Sequence, residues 1–138
     1  MARRDINHHV VRSALENEGW HVTDDPFFIK IGRKSAEIDL GAERVILAER
    51  TSEKIAVEVK SFVGTSMITD FYRALGQFLM YKRTLQVLEP ERTLYLALPQ
   101  AAYDELSDDI FDFPNFEDLR HHLIVYEPLE NTKLLWIP

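Results

Sequence analysis

An acid and an amine two residues apart on a strand can do phosphate chemistry when a second acid reaches them from a neighbouring strand. The runs IAVEVK, from Ile55 to Lys60, and AEIDLG, from Ala36 to Gly41, hold such a set. Successive side chains of a strand point to opposite faces, so Ile55, Val57 and Val59 face one way while Glu58 and Lys60 face the other, and Glu37 and Asp39 likewise share a face. Two carboxylates held close repel each other, and a divalent cation with a preference for oxygen relieves the repulsion. Asp39 and Glu58 are therefore candidate ligands of Mg²⁺ or Mn²⁺. A cation so held polarises a scissile phosphate and acidifies a bound water, while Lys60 offers its charge to the phosphate or positions that water: phosphodiester hydrolysis. Alternating Glu and Lys on a solvated strand is also an ordinary arrangement. The motif gains weight from its company, an acid nineteen residues upstream, a strand of Ile and Val, and a helix directly after.

The elements must carry these groups to one place. Asp5 can cap a helix from about Ile6 to Glu18, whose Val10, Ala14 and Leu15 share a face and which Gly19 stops. Trp20 to Thr23 reads as a short extended piece, Asp24-Asp25-Pro26 as a turn and Phe27 to Ile31 as a strand. Three more strands are expected over Ala36 to Leu40, Arg44 to Glu49 and Lys54 to Lys60. Breaks at Gly32-Arg33-Lys34, at Gly41-Ala42-Glu43 and from Arg50 to Glu53 separate them, so neighbours should pair antiparallel. From Ser66 the period changes from about 2 to about 3.6, with Ile68, Phe71, Tyr72, Leu75, Phe78, Leu79 and Leu85 tracing one stripe of a long helix that Glu89-Pro90-Glu91 ends. Thr93 to Leu98 reads as a buried strand parallel to Lys54 to Lys60. Short helices over Ala101 to Ile110 and Phe116 to His122 are followed by strands over Leu123 to Tyr126 and Lys133 to Ile137. The result is an α/β fold with an αβββαβ core.

With 138 residues, 46% of them hydrophobic, the chain suits one core and a single domain over residues 1–138. Its longest apolar runs, such as Val45 to Ala48, are far short of the roughly 18 residues that cross a bilayer, so no membrane is expected among its partners. The basic start MARRDINHH leads into no apolar stretch of a secretory signal. No cysteine is present, which excludes disulfides and thiolate metal sites and suits a cytoplasmic location. The net charge of −7 is awkward for a nucleic-acid binder, yet residues 1–60 carry only −1 and residues 61–138 carry −6. Between Gln100 and Leu119 lie Asp104, Glu105, Asp108, Asp109, Asp112, Glu117 and Asp118 with no Lys or Arg. That segment reads as a solvated face, or as a dock for a basic partner. Candidate DNA contacts are Lys30, Arg33 and Lys34, with Arg3, Arg4 and Arg12 as further basic groups. Phe111, Phe113 and Phe116 around Pro114 offer a contact for a homodimer.

An acid on one strand, acid-x-Lys on another and a helix straight after resemble the PD-(D/E)xK nuclease superfamily, in particular archaeal-type Holliday-junction resolvases. The resemblance implies a restriction-endonuclease-like fold with a mixed sheet flanked by helices, a DNA substrate, metal ligation by Asp39, Glu58 and the carbonyl of Val59, and a catalytic Lys60. Gln77 and Tyr81, four apart, share a helix face, and QFLMY resembles the Gln-x-x-x-Tyr element of RecB-like nucleases. That similarity implies a catalytic Gln77 and a Tyr81 that lines the DNA cleft. Ile38 stands where the superfamily pattern has proline. Resolvase-type enzymes also place a metal-coupled glutamate in the first helix, where this chain reads RDINHHVV, so Asp5, His8 or His9 would substitute. Adjacent His8 and His9 diverge on a helix, and His121 and His122 read as structural.

A closer match spans nearly the whole chain. ALENEGW, DDP, IDLGAE, KIAVEVKSF, DFYRALGQF, EPERTLYLA and VYEPLENTKLLWI resemble the XisH family, the excision-controlling factors of the fdxN element. This resemblance implies a role in programmed site-specific DNA excision, alongside a site-specific recombinase and an XisI-like factor. The chain would serve either as an endonuclease or as a catalytically inactive regulator on a nuclease scaffold.

Overall fold

The computed structural model describes residues 5–46, 51–108 and 116–138. Helix α1 (His8–Asn17) buries Val10, Val11, Ala14 and Leu15 on one face. Asn7, not Asp5, precedes it and makes no side-chain cap bond. Asp5 acts one turn earlier, where its Oδ1 accepts the Asn7 N–H at 2.9 Å. The helix stops as expected at Gly19. Trp20 N–H donates to the Leu15 carbonyl at 3.0 Å and Gly19 N–H to that of Glu16 at 3.1 Å, a closure that needs the φ of +94° that Gly19 supplies. Gly19→Ala is expected to cost about 1 to 2 kcal/mol through that left-handed backbone. The check is a lower urea midpoint at unchanged slope; an unchanged midpoint would place the helix stop elsewhere.

The strands are β1 (His21–Asp24), β2 (Phe27–Ile31), β3 (Lys34–Ile38), β4 (Leu40–Ile46), β5 (Thr51–Val59), β6 (Arg92–Pro99), β7 (Leu123–Tyr126) and β8 (Leu135–Trp136). The main sheet runs β1-β4-β5-β6-β7-β8, and β2 and β3 form a separate hairpin. Pairs β5/β6 and β6/β7 are parallel and the remaining ones antiparallel, so the sheet is mixed. Between β5 and β6 runs α2 (Met67–Leu88); between β6 and β7 come α3 (Gln100–Leu106) and α4 (Glu117–Arg120).

Two expectations about the strands are corrected. The strand read from Ala36 to Leu40 splits at Asp39, and the break read at Gly41-Ala42-Glu43 lies inside β4. Consecutive β3 and β4 do not pair, because β3 bonds β2 while β4 lies between β1 and β5. Gly41 marks a close approach and not a turn. A Cβ there would come within 2.9 Å of the Phe27 ring and 3.1 Å of Asp24 Oδ2, which is why a glycine stands inside this strand.

The sheet is covered on both sides. Val10, Val11, Ala14 and Leu15 of α1 pack on Leu40, Ala42, Ile55, Val57, Val59 and Ile124. On the other face α2 and the β2–β3 hairpin meet Ala56, Leu94, Leu96, Leu98 and Leu123. The stripe that α2 buries is Phe71, Ala74, Phe78, Tyr81 and Leu85. Ile68, Tyr72 and Leu79, expected in that stripe, are exposed. Apolar residues occur on more than one side of this helix, so its period admits two stripes, and the sheet accepts the one that small Ala74 lets approach. Phe116 is half-buried and meets Phe71 edge-on at 5.9 Å, so it does not stand out as a dimer contact. Phe111, Phe113, Asp109, Asp112, the end of the helix read to Ile110 and the strand residues Leu47 to Glu49 lie outside the described residues. Among the described residues no helix is long and apolar enough to cross a membrane.

Candidate functional site

The site forms where β4 parts from β3. Leu40 pairs with Val57 on β5, so Asp39 and Glu58 come next in register, at the point where the chain turns away into the hairpin. The departing strand would leave the Val59 N–H without a ladder partner, and the Asp39 side chain fills the gap: Oδ2 accepts that N–H at 2.7 Å. Glu58 returns the bond, its Oε1 accepting the Asp39 N–H at 3.2 Å. Lys60 Nζ stands 3.5 Å from Glu58 Oε2. The structure thus brings Asp39, Glu58 and Lys60 together. They line a cavity of about 420 Å³ with Asp5, Ser35, Ala36, Glu37, Val59, Gln77 and Tyr81.

Electrostatics in this cavity favour a bound positive charge. Burial, and after it the charge of Asp39, push the Glu58 carboxyl up to about 8, against the opposing pull of Lys60. Burial also raises the Tyr81 hydroxyl to about 12, with Glu58, Asp39 and Glu37 adding to the effect, so this hydroxyl keeps its proton at any working pH.

A hydrogen-bond network fixes the backbone beside the site. The Tyr126 hydroxyl, deep under α1, donates to the Lys60 carbonyl at 2.9 Å, and burial holds its pKa above the usual phenol range. The Asn7 amide donates to Ser61 Oγ at 2.9 Å and to Tyr126 Oη at 3.2 Å. The Ser61 hydroxyl donates in turn to Asp5 Oδ1. Behind Asp39, His8 Nε2 lies 2.7 Å from Asp25 Oδ1, and Arg12 Nη1 donates to Asp25 Oδ2 at 2.6 Å.

Sequence and structure comparisons agree on the kinship. The family model described as XisH protein matches residues 1–134. The chain belongs to the XisH family. Two solved structures are similar to it. A crystal structure of an XisH family protein from Nostoc punctiforme PCC 73102 is 38% identical, covers 97% of this chain and 100% of its own, and has a TM-score of 0.79. That of an fdxN element excision controlling factor protein from Anabaena variabilis is also 38% identical, covers 98% and 100%, and has a TM-score of 0.80. No curated protein matches the chain.

In this XisH-family chain the residues singled out from sequence divide into four groups. Asp39, Glu58, Val59, Lys60, Gln77, Tyr81 and Asp5 share the cavity wall. Tyr81 is more deeply set than a DNA-facing group, at 9% exposure. Lys30, Arg33 and Lys34 are exposed on the β2–β3 hairpin and do not line the cavity, although Ser35, Ala36 and Glu37 of the same hairpin do. His8 is buried behind Asp39, whereas His9 is turned out to Glu130 at 3.3 Å, away from the site. His121 and His122 both bond main-chain oxygens.

Sequence reasoning missed Asn7, Ser61, Tyr126, Asp25 and Arg73. The first four act through contacts distant in sequence that no local pattern reports. Arg73 lines an adjoining hollow of about 220 Å³ that also has Asp5 and Lys60 in its wall.

The donor set suits a hard divalent cation. It is made of carboxylate oxygens at a point where Glu58 takes up a proton more readily than a free carboxyl would. Among the described residues no three His, Asp or Glu side chains are gathered so as to hold a metal ion.

Proposed function

We propose that this chain is a cation-dependent DNA nuclease with a PD-(D/E)xK site on a restriction-endonuclease-like fold, acting within the excision control for which its family is named. The observation that carries the proposal is the reciprocal lock of Asp39 and Glu58 at the parting of β3 and β4, with Lys60 Nζ at 3.5 Å. Asp39, Glu58 and the main chain of Val59 are the groups to hold Mg²⁺ or Mn²⁺, which when bound supplies charge to a scissile phosphate and acidifies a water. Lys60 presents an ammonium to a phosphate oxygen in the same cavity. The Tyr81 hydroxyl remains protonated, and the exposed Gln77 amide, four residues before it on α2, offers donors and an acceptor to the strand. In this reading Arg73 in the adjoining hollow and the exposed Lys30, Arg33 and Lys34 of the hairpin would contact backbone phosphates, contacts that position DNA without reading its sequence.

The test is incubation of the pure chain with branched, nicked and duplex DNA and Mg²⁺ or Mn²⁺. Cutting that needs the cation is expected, with a fall of about 10²- to 10³-fold in Lys60→Ala and background levels in Asp39→Ala. An unchanged rate in Lys60→Ala would overturn the role given to it.

A second proposal, a regulator on a nuclease scaffold that binds a recombinase or an XisI-type factor, is favoured by charge. The chain carries −7, and among the described residues of the cavity wall Asp5, Glu37, Asp39 and Glu58 stand with Lys60 as their only basic neighbour. Exposed Asp104, Glu105 and Asp108 would then form the docking surface. Capture of the partner that survives neutralising Asp104 and Asp108 would exclude that surface.

A further inference from the structure

On β2 the buried residues Phe27 and Ile29 alternate with Phe28 and Lys30, which face out, and Phe28 is 65% exposed. In the antiparallel pairing with β3, Phe28 stands directly across from Glu37 and Lys30 across from Ser35. Directly opposed residues point to the same side of a ribbon with Cβ atoms about 5 Å apart, so these four side chains share one face. Ser35 and Glu37 also belong to the wall of the cavity that holds Asp39, Glu58 and Lys60. That face therefore continues the wall outward, and it offers an aromatic ring with an ammonium roughly 7 Å further along the strand.

A single exposed aromatic is ordinary on a protein surface, and the neighbours of this one decide what it can take. The Glu37 carboxylate beside the ring repels a phosphate, whereas Lys30 and, beyond it at the exposed turn, Arg33 and Lys34 attract one. A polyanion laid along this face thus seats its phosphates towards the turn and leaves a flat, uncharged group over the ring. In a nucleic acid that group is a base. Bases of an intact duplex are stacked on one another and show only their edges in the grooves, so a free face exists only where a nucleotide is unpaired.

We propose that Phe28 is the stacking platform for an unpaired nucleobase of DNA, with Lys30 on a neighbouring phosphate, and that the hairpin thereby admits single-stranded nucleotides beside the cavity in preference to intact duplex. The inference rests on the reading of the cavity as a DNA-cutting site and adds the substrate class to it.

The experiment measures binding of the full chain, without divalent cation, to a fluorescein-labelled single strand of about 12 deoxynucleotides, to its duplex and to an abasic strand of the same charge. Expected are tighter binding of the single strand than of either control and a loss of about 5- to 150-fold in Phe28→Ala at an unchanged dependence on salt. Lys30→Ala should instead lower the slope of log affinity against log salt by about 0.7. Phe28→Trp should keep the affinity, and the emission it adds to that of the parent should be quenched by the single strand and not by the abasic one. Phe28 lies outside the core, so its truncation leaves the fold intact. Duplex bound as tightly as the single strand, or an affinity indifferent to Phe28→Ala, overturns the inference, and cation-dependent cutting alongside that result leaves the nuclease reading standing. A preference for the single strand that needs Phe28, in a chain that cuts no DNA with Mg²⁺ or Mn²⁺, keeps the base site and removes the nuclease reading. Failure to bind any of the three removes the base site.

Discussion

Glu58→Gln at pH 8 to 9, without divalent cations, is expected to be more stable than the parent by on the order of 2 to 4 kcal/mol. Burial and the nearby Asp39 lift the Glu58 carboxyl from its ordinary 4.5 to about 8. The folded chain therefore holds this proton more tightly than the unfolded chain does. Stability is full below about pH 4.5 and drains away as the pH climbs towards 8, because over that range the unfolded chain gives up the proton freely while the folded chain must keep it. Glutamine keeps an oxygen for the Asp39 N–H and carries no charge, so its advantage vanishes near pH 5, where the parent is protonated. Mg²⁺ or Mn²⁺ at pH 8 should stabilise the parent and do far less for the variant, since the cation replaces the lost proton. Urea titrations at pH 5, 7 and 9 decide the matter. A parent whose stability is flat over that range would show that the two carboxylates do not burden each other.

Phe78→Ala is expected to cost about 3 to 5 kcal/mol, whereas Leu79→Ala next to it should cost less than about 1. Phe78 is 1% exposed in the layer between α2 and the sheet, and Leu79 is 44% exposed. Truncating Phe78 opens a void under the helix that carries Gln77 and Tyr81, and a loss of that size is a large part of the roughly 5 to 15 kcal/mol that holds a domain folded. Paired denaturation curves measure both. Equal costs would mean that α2 is rotated about its axis from the orientation described here.

The same two residues show what could be read from the chain beforehand. Period and length revealed α2 and its ends, but both Phe78 and Leu79 fitted an apolar stripe, and only the shape of the opposing layer chooses between them. Strands β2, β6 and β7 were legible because aromatic and branched residues lie between clear breaks. Asp39 was misplaced inside a strand and Gly41 inside a turn, since a glycine that makes room for Phe27 and one that turns the chain look alike in sequence. Alternation along β5 sufficed to set Glu58 and Lys60 on one face, which is why these residues and Asp39 could be grouped without coordinates. Asp25 and Tyr126 could not. Their partners, Arg12 and Lys60, are 13 and 66 residues away, and neither belongs to a pattern.

The hairpin interrupts what would otherwise be a direct return from β1 into β4. Because those two strands bond each other, everything from Phe27 to Ile38 is an excursion whose two ends are already stapled together. The inward side chains Phe27, Ile29 and Ile38 are fixed by the core, whereas the exposed tip from Gly32 to Ser35 can change without shifting the register of the main sheet. The hairpin tip and the carboxylates at its exit are thus separable parts of the fold, joined only where β3 gives way to β4.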